Sequence, residues 1–295
     1  MSMQDLTQLP PPDLLEPLSF EAIFAQMRDK LIENDPTFTA MTESDPVYKV
    51  LEVAAYFRML DRQRVNEAAL AVLLAYAQGN DLDNIGARYN VYRQEISPAD
   101  DSTVPPTPAV MEPDDDYRRR IQLALEGMSV AGPANAYRFH ALSAHPLVSD
   151  ATAISKTPGS VLITVLSREG NGSAEQGILD AVTSALSAED IRPLTDEVTV
   201  QSADIVSYEI DATLYLASGP ESEPVLAAAQ ERIAAYTTEQ FRLGRNIRRS
   251  AIDAALHAAG VQNVVLHQPA ADIVISKEQA GYCINITVNY GGEDE

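Results

Sequence analysis

The chain is 295 residues long, 45% hydrophobic, and carries a formal charge of -22 with a single cysteine, Cys283. Such a length suggests about two or three domains, and such an apolar fraction is enough for a real core. The charge repels phosphate and so disfavours broad nucleic-acid binding, the lone cysteine excludes a disulfide framework within the chain, and no run approaches the roughly 18 consecutive apolar residues of a membrane helix.

The opening MSMQDLTQLPPPD has neither a basic region nor an apolar run, so no secretory signal is expected and a reducing cytosol is the expected place of synthesis. Pro10, Pro11 and Pro12 favour an extended arm over residues 1–18, expected to be loose in the free subunit. A helical domain is expected over residues 19–93. Ser19 can cap a helix with Phe20, Ile23, Phe24, Met27 and Leu31 on one stripe. Asp45-Pro46 opens a second helix expected to run to about Tyr76, with Val47, Val50, Leu51, Ala54, Val65, Ala69, Val72 and Tyr76 at helical spacing. At about 1.5 Å per residue this rod would be about 45 Å long. It either outruns its own core and packs on another chain, through residues such as Leu51 and Val72, or sits in an internal bundle. Gly79 is expected to stop it, and Asp81 to cap a short helix carrying Leu82, Ile85 and Tyr89.

Residues 94–116 are rich in Pro, Ser, Thr and Asp and predict a linker. Helical pattern resumes over 117–150, read as a connector. From there strands and helices alternate, and two small α+β modules are expected over 151–204 and 205–295. Val161–Leu166 reads as a buried strand, and Ser173 with Gln176 as a capping box for a helix carrying Ile178, Leu179, Val182 and Leu186. Ile205–Leu216 has the clearest period of two, which suits an antiparallel sheet with one packed face. Gly219-Pro220 predicts a turn, followed by helices over Ser222–Tyr236 and Ile247–Ala259 and strands at Val264–Leu266 and Tyr282–Tyr290. The predicted fold class is α+β: a helical N-terminal half with a long helix, then two modules with antiparallel or mixed sheets.

No segment carries a catalytic constellation. Gly170-Asn171-Gly172 stands between strand and helix, as a dinucleotide loop would, but Glu175 replaces the third glycine and would face a pyrophosphate. Asp81-Leu82-Asp83-Asn84-Ile85-Gly86 opens like a calcium loop, but Ile85 and Tyr92 stand where ligands are required. His140, His145, His257 and His267 lack metal-ligand spacing. Cys283 alternates with apolar residues and is expected on the polar side of its strand. The densest basic cluster is Arg242, Arg245, Arg248 and Arg249; it reads either as a docking patch for an acidic surface or as a helix start with scattered ion pairs. Asp114–Asp116 followed by Arg118, Arg119 and Arg120 places acids in a first helical turn and points the arginines three ways, so at least one should meet another element or chain.

Five segments, taken in order, resemble the baseplate J family of P2-like phages and related contractile tails. They are Gly79–Gly86 continuing into Tyr89–Arg93, Asp116–Ile121, Pro158–Leu166, Arg192–Asp196, and Gly244-Arg245 before the helix ending at Gly260-Val261. The resemblance implies a structural subunit of a baseplate wedge, joined into a ring around the tail tube and not an enzyme. Its implied partners are further copies of itself and other wedge proteins, with tube, hub or sheath proteins beside them, and no nucleic acid, membrane, cofactor or metal. It also implies that long helices pair copies and that the C-terminal modules link neighbouring wedges. A tailocin or a contractile secretion machine would use the same plan, and the competing class is a tail-associated cell-wall hydrolase.

Overall fold

The computed structural model describes Leu6 and residues 9–129, 131–189, 191–217 and 222–294. The expected turn at Gly219-Pro220 lies outside the described residues, as do the first five residues and Glu295. The chain divides into two compact units between Arg93 and Gln94.

The first unit is helical: α1 (Phe20–Asn34), α2 (Pro46–Ala71) and α3 (Gly79–Arg88). Ser19 caps α1 by accepting the Ala22 N–H at 3.2 Å, and Phe24 packs on Tyr48 of α2 with ring centroids 4.8 Å apart. Residues 9–18 are not loose. They run back along α2: the Tyr76 hydroxyl donates to Leu9 O at 2.7 Å, and the Asn66 amide takes both main-chain groups of Glu16. A side-chain amide that mimics a strand partner satisfies backbone groups that an extended arm would leave to water. Helix α2 ends at Ala71, short of Tyr76, because Leu73 N–H and Tyr76 N–H bond back to the carbonyls three residues earlier and Ala77 is buried in the turn. Apolar periodicity continues through LLAY, so pattern alone overshoots the end. Helix α3 begins at Gly79 with Gln78 as its cap, leaving Asp81 in the first turn, where a carboxylate favours the helix dipole.

The second unit starts with a hairpin, β1 (Glu95–Ser97) against β2 (Val110–Met111), extended by mutual 2.9 Å bonds between Asp100 and Thr107. The expected linker therefore holds regular structure, and α4 (Asp114–Gly127) begins inside it. Limited proteolysis is expected to cut first between Asp101 and Pro106, around Val104, which is 99% exposed. Mass spectrometry of the early fragments checks this, and first cuts within residues 160–215 would contradict it.

Helices α4 and α5 (Ala134–Ala144) belong to the next core and are not a connector: Tyr117, Ile121, Leu123, Tyr137, Ala141 and Leu142 are buried. Helix α5 packs on β3 (Val148–Ile154), which pairs antiparallel with β4 (Ser160–Ser167). Strand β4 pairs parallel with β5 (Glu197–Ser202), after α6 (Gln176–Leu186) has buried Ile178, Val182 and Leu186. Glu175, not Ser173, caps α6, and no capping side-chain bond forms.

The last module is a mixed sheet, β7 (Val261–Gln268), β6 (Asp204–Leu216) and β8 (Gln279–Glu293) in that order. Strand β6 runs antiparallel to β7 but parallel to β8, so the expected antiparallel sheet is only half of it. The period of two in β6 holds: Tyr208, Ile210, Ala212, Leu214 and Leu216 are buried against Ile233 of α7 (Ser222–Gln240) and Ile252 and Leu256 of α8 (Arg249–Leu256). Burial of such aliphatic side chains contributes roughly 1.5–3 kcal/mol each. Gly260 lets the chain turn from α8 into β7: its φ is +96°, and a Cβ there would meet Val225 at 3.0 Å.

Candidate protein interface

Helix α2 has two faces. Tyr48, Ala55, Arg62 and Asn66 meet α1 and the arm; Ala55 is fully buried. On the opposite side Val50, Val53, Phe57 and Leu60 are 67, 57, 60 and 37% exposed. Their spacing of three, four and three residues is the apolar spacing of a coiled-coil seam. Val65 and Val72 extend the exposed apolar surface. Leu51 is half-buried, so the stripe lies one residue away from the position singled out in the sequence. Val72 is 61% exposed just past the helix.

The arginine cluster is mostly spent within its own chain. Arg242 donates to Asp116 Oδ1 at 2.5 Å and to Ser149 O at 2.6 Å. Arg249 holds the carbonyls of Leu266, at 3.0 Å, and of Pro269. Arg248 pairs with Asp272 at 2.8 Å and Arg245 with Glu239 at 3.2 Å. Arg242 and Arg249 are therefore engaged within the chain, and Arg245 and Arg248 reach the surface already paired.

Arg242 is one spoke of a buried charge cluster that no sequence signal announced. Asp116 on α4 accepts from Arg242, from Arg168 after β4, and from Arg119 at 3.4 Å. Asp150 on β3 accepts Arg138 at 2.7 Å and the Leu243 N–H at 3.1 Å. Burial pushes the Asp116 carboxyl up, but the charges and hydrogen bonds of Arg242 and Arg168 outweigh it and hold it below the ordinary carboxylate range. Beside the cluster, Arg120 grips buried Glu112 at 2.6 and 2.9 Å, so at least this one of the three arginines meets a residue outside its own helix. These bonds tie α4, α5, β3 and the segment before α8 into one scaffold.

The remaining chemical candidates resolve as structure. Gly172 carries φ +97° with Phe241 and Leu166 against it, so its glycine serves close packing in a strand-to-helix turn. Asp83 pairs with Arg93 at 2.7 Å. Each histidine has a local partner, His140 with Gly127 O, His145 with Leu147 N–H, His257 with Asp253 O and His267 with Thr213. Cys283 is not on the polar face. In the β6–β8 register Tyr208 opposes Cys283 but Glu209 opposes Asn285, so Ile284 bulges out, 60% exposed, and the alternation flips. Cys283 packs on the core, and burial pushes its thiol up, the wrong direction for a nucleophile. Among the described residues no three His, Cys, Asp or Glu side chains could hold a metal, and no helix is long and apolar enough to cross a membrane.

The chain is similar to known proteins along its length. Three family models match along the chain: the Baseplate J-like N-terminal domain at residues 43–100, the central domain at 129–202 and the C-terminal domain at 208–289. Baseplate protein J of Escherichia phage P2 is 55% identical over 302 residues, covering all of both chains. The chain belongs to the baseplate J family. A chain in the cryo-EM structure of the anti-feeding prophage baseplate is 15% identical with a TM-score of 0.40 over 62% of this chain. This chain spans 44% of that one, and the likeness is too slight to carry an argument.

Proposed function

We infer that this chain is a structural component of the baseplate of a contractile phage-type tail. The full-length identity of 55% to Baseplate protein J of phage P2 carries the reading. The structure supports a scaffold's work: arginines spent on internal carboxylates, and an apolar seam on α2 that its own unit leaves in water. In this reading the chain sits in a wedge of the tail baseplate, after assembly in the host cytoplasm. Its α2 seam packs on a helix of another chain, a second copy or another wedge protein, and repeated contacts close a ring around the tube. The competing hydrolase reading has no observation behind it.

Electron microscopy of particles carrying a tagged chain tests the location; density anywhere other than the baseplate ring sinks the reading. The seam has its own test. Phe57→Asp should leave the melting temperature of the isolated chain almost unchanged, because Phe57 is 60% exposed and such substitutions cost about 0.5 kcal/mol or less. It should abolish incorporation into particles, since the charge would be buried without a partner in a helix seam. Incorporation at the level of the unmodified chain would show that the seam stays wet.

A further inference from the structure

The charge cluster around Asp116 and Asp150 encloses a cavity of about 10 Å³, room for a single water-sized particle. Four arginines, Arg119, Arg120, Arg138 and Arg168, line it against three carboxylates. Arg242 adds a fifth positive charge through its bonds to Asp116 and to the Ser149 carbonyl. Among these described side chains the cations outnumber the anions by two. The carboxylates are also already taken. Glu112 is held by Arg120, Asp116 by Arg242 and Arg168, and Asp150 by Arg138 and the Leu243 N–H.

Some of the guanidinium N–H groups are left over. Arg138 Nε and Arg242 Nε are both buried without an acceptor. A buried donor with no acceptor costs the desolvation of that group, and more so when the group is charged. Arg119 reaches Asp116 only at 3.4 Å, near the limit of a hydrogen bond. Burial, and after it the charge of Arg242, push the Arg119 guanidinium below its ordinary range, as cations crowded out of water should.

We propose that this cavity is a binding site for a monatomic anion of the chloride class, held by Arg138 Nε–H and the guanidinium of Arg119. Three observations select this ligand. The charge excess calls for an anion, because a water molecule would accept from the same donors and leave the surplus positive charge uncompensated. The volume calls for a monatomic one, because a sulfate, phosphate or carboxylate group is several times the size of the space. The donors are guanidinium N–H groups, which are weakly hydrated and give up water readily. The bound ion joins α4, through Arg119, to α5, through Arg138, and so stabilises the second unit. The site stands apart from the baseplate reading, since it depends only on the fold of this chain.

The test uses the purified full-length chain in urea melts, with chloride as the probe. Gluconate, too large for the cavity, replaces chloride at constant ionic strength, so that screening stays the same. The folding equilibrium constant should rise with chloride along a one-site curve, about tenfold once chloride reaches ten times its dissociation constant. Arg138→Lys keeps a positive charge for Asp150 but has no N–H at the Nε position, so it should stay folded and lose the chloride response. Arg245→Lys, at the surface beside Glu239, should keep that response. Crystals soaked in bromide give a second reading that needs no variant: an anomalous peak within hydrogen-bond distance of Arg138 Nε. Equal responses to chloride and gluconate, a full chloride response in Arg138→Lys, or water alone at that position in the soaked crystals would overturn the proposal. A bromide peak without any chloride response in solution is binding at crystal concentration only, and overturns it as well.

Discussion

Replacing Asp116 with alanine is expected to cost the second unit about 3–5 kcal/mol, the range for removing one partner of a buried ion pair. Asp116 is 8% exposed and shared by Arg242, Arg168 and Arg119, so its loss leaves three guanidinium groups facing one another with no common acceptor. Asp116→Asn should behave almost as badly, because it keeps the shape and removes the charge. The pH dependence follows from the direction of the shift. The folded carboxyl lies below its unfolded value, so its contribution is complete above the unfolded value of about 4 and drains away as pH falls through the lower folded one. Urea melts between pH 7 and pH 3 should therefore show the unmodified protein losing more stability than Asp116→Asn. Parallel curves for the two proteins would show that the carboxylate adds nothing.

The pair of Glu112 and Arg120 should give the second large effect, with a different signature. The two side chains are 2 and 5% exposed and joined by two short bonds. Glu112→Leu alone leaves the buried Arg120 guanidinium without its carboxylate and should cost about 3–5 kcal/mol, while Glu112→Leu with Arg120→Leu should recover most of that loss. Chemical denaturation of the two single variants and the double closes the cycle. Because Glu112 sits between β2 and α4, the single variant should also loosen the hairpin, seen as faster amide exchange at Gln94, whose N–H reaches Glu112 Oε2 at 3.3 Å. A double variant as unstable as Glu112→Leu would show that the pair is held for more than its charges.

Residue order alone determined whatever depends on near neighbours. Ser19 caps α1 because the N–H it accepts is three residues away. The period of two in β6 needs only alternate faces, and the start of α2 needs only Asp45-Pro46 ahead of an unbroken run of helix formers. The ordered motifs of the baseplate J family are also a property of the string, and the family models and the phage P2 relative agree with them. Tertiary structure decided the fate of every group whose partner is remote. Arg242 and Asp116 are 126 residues apart in sequence, and nothing local distinguishes that arginine from Arg245, three positions on, which stays at the surface. The anchors of the arm on Asn66 and Tyr76 lie 50 and 67 residues away from it. Cys283 changed faces because one residue, Ile284, drops out of register with β6, and a bulge is set by how two strands meet, not by the strand that carries it. The open edge of β8 was likewise beyond reach of the sequence. Whether a strand lies at an edge depends on which strands flank it, and the order β7, β6, β8 leaves one side of β8 without a neighbouring strand among the described residues.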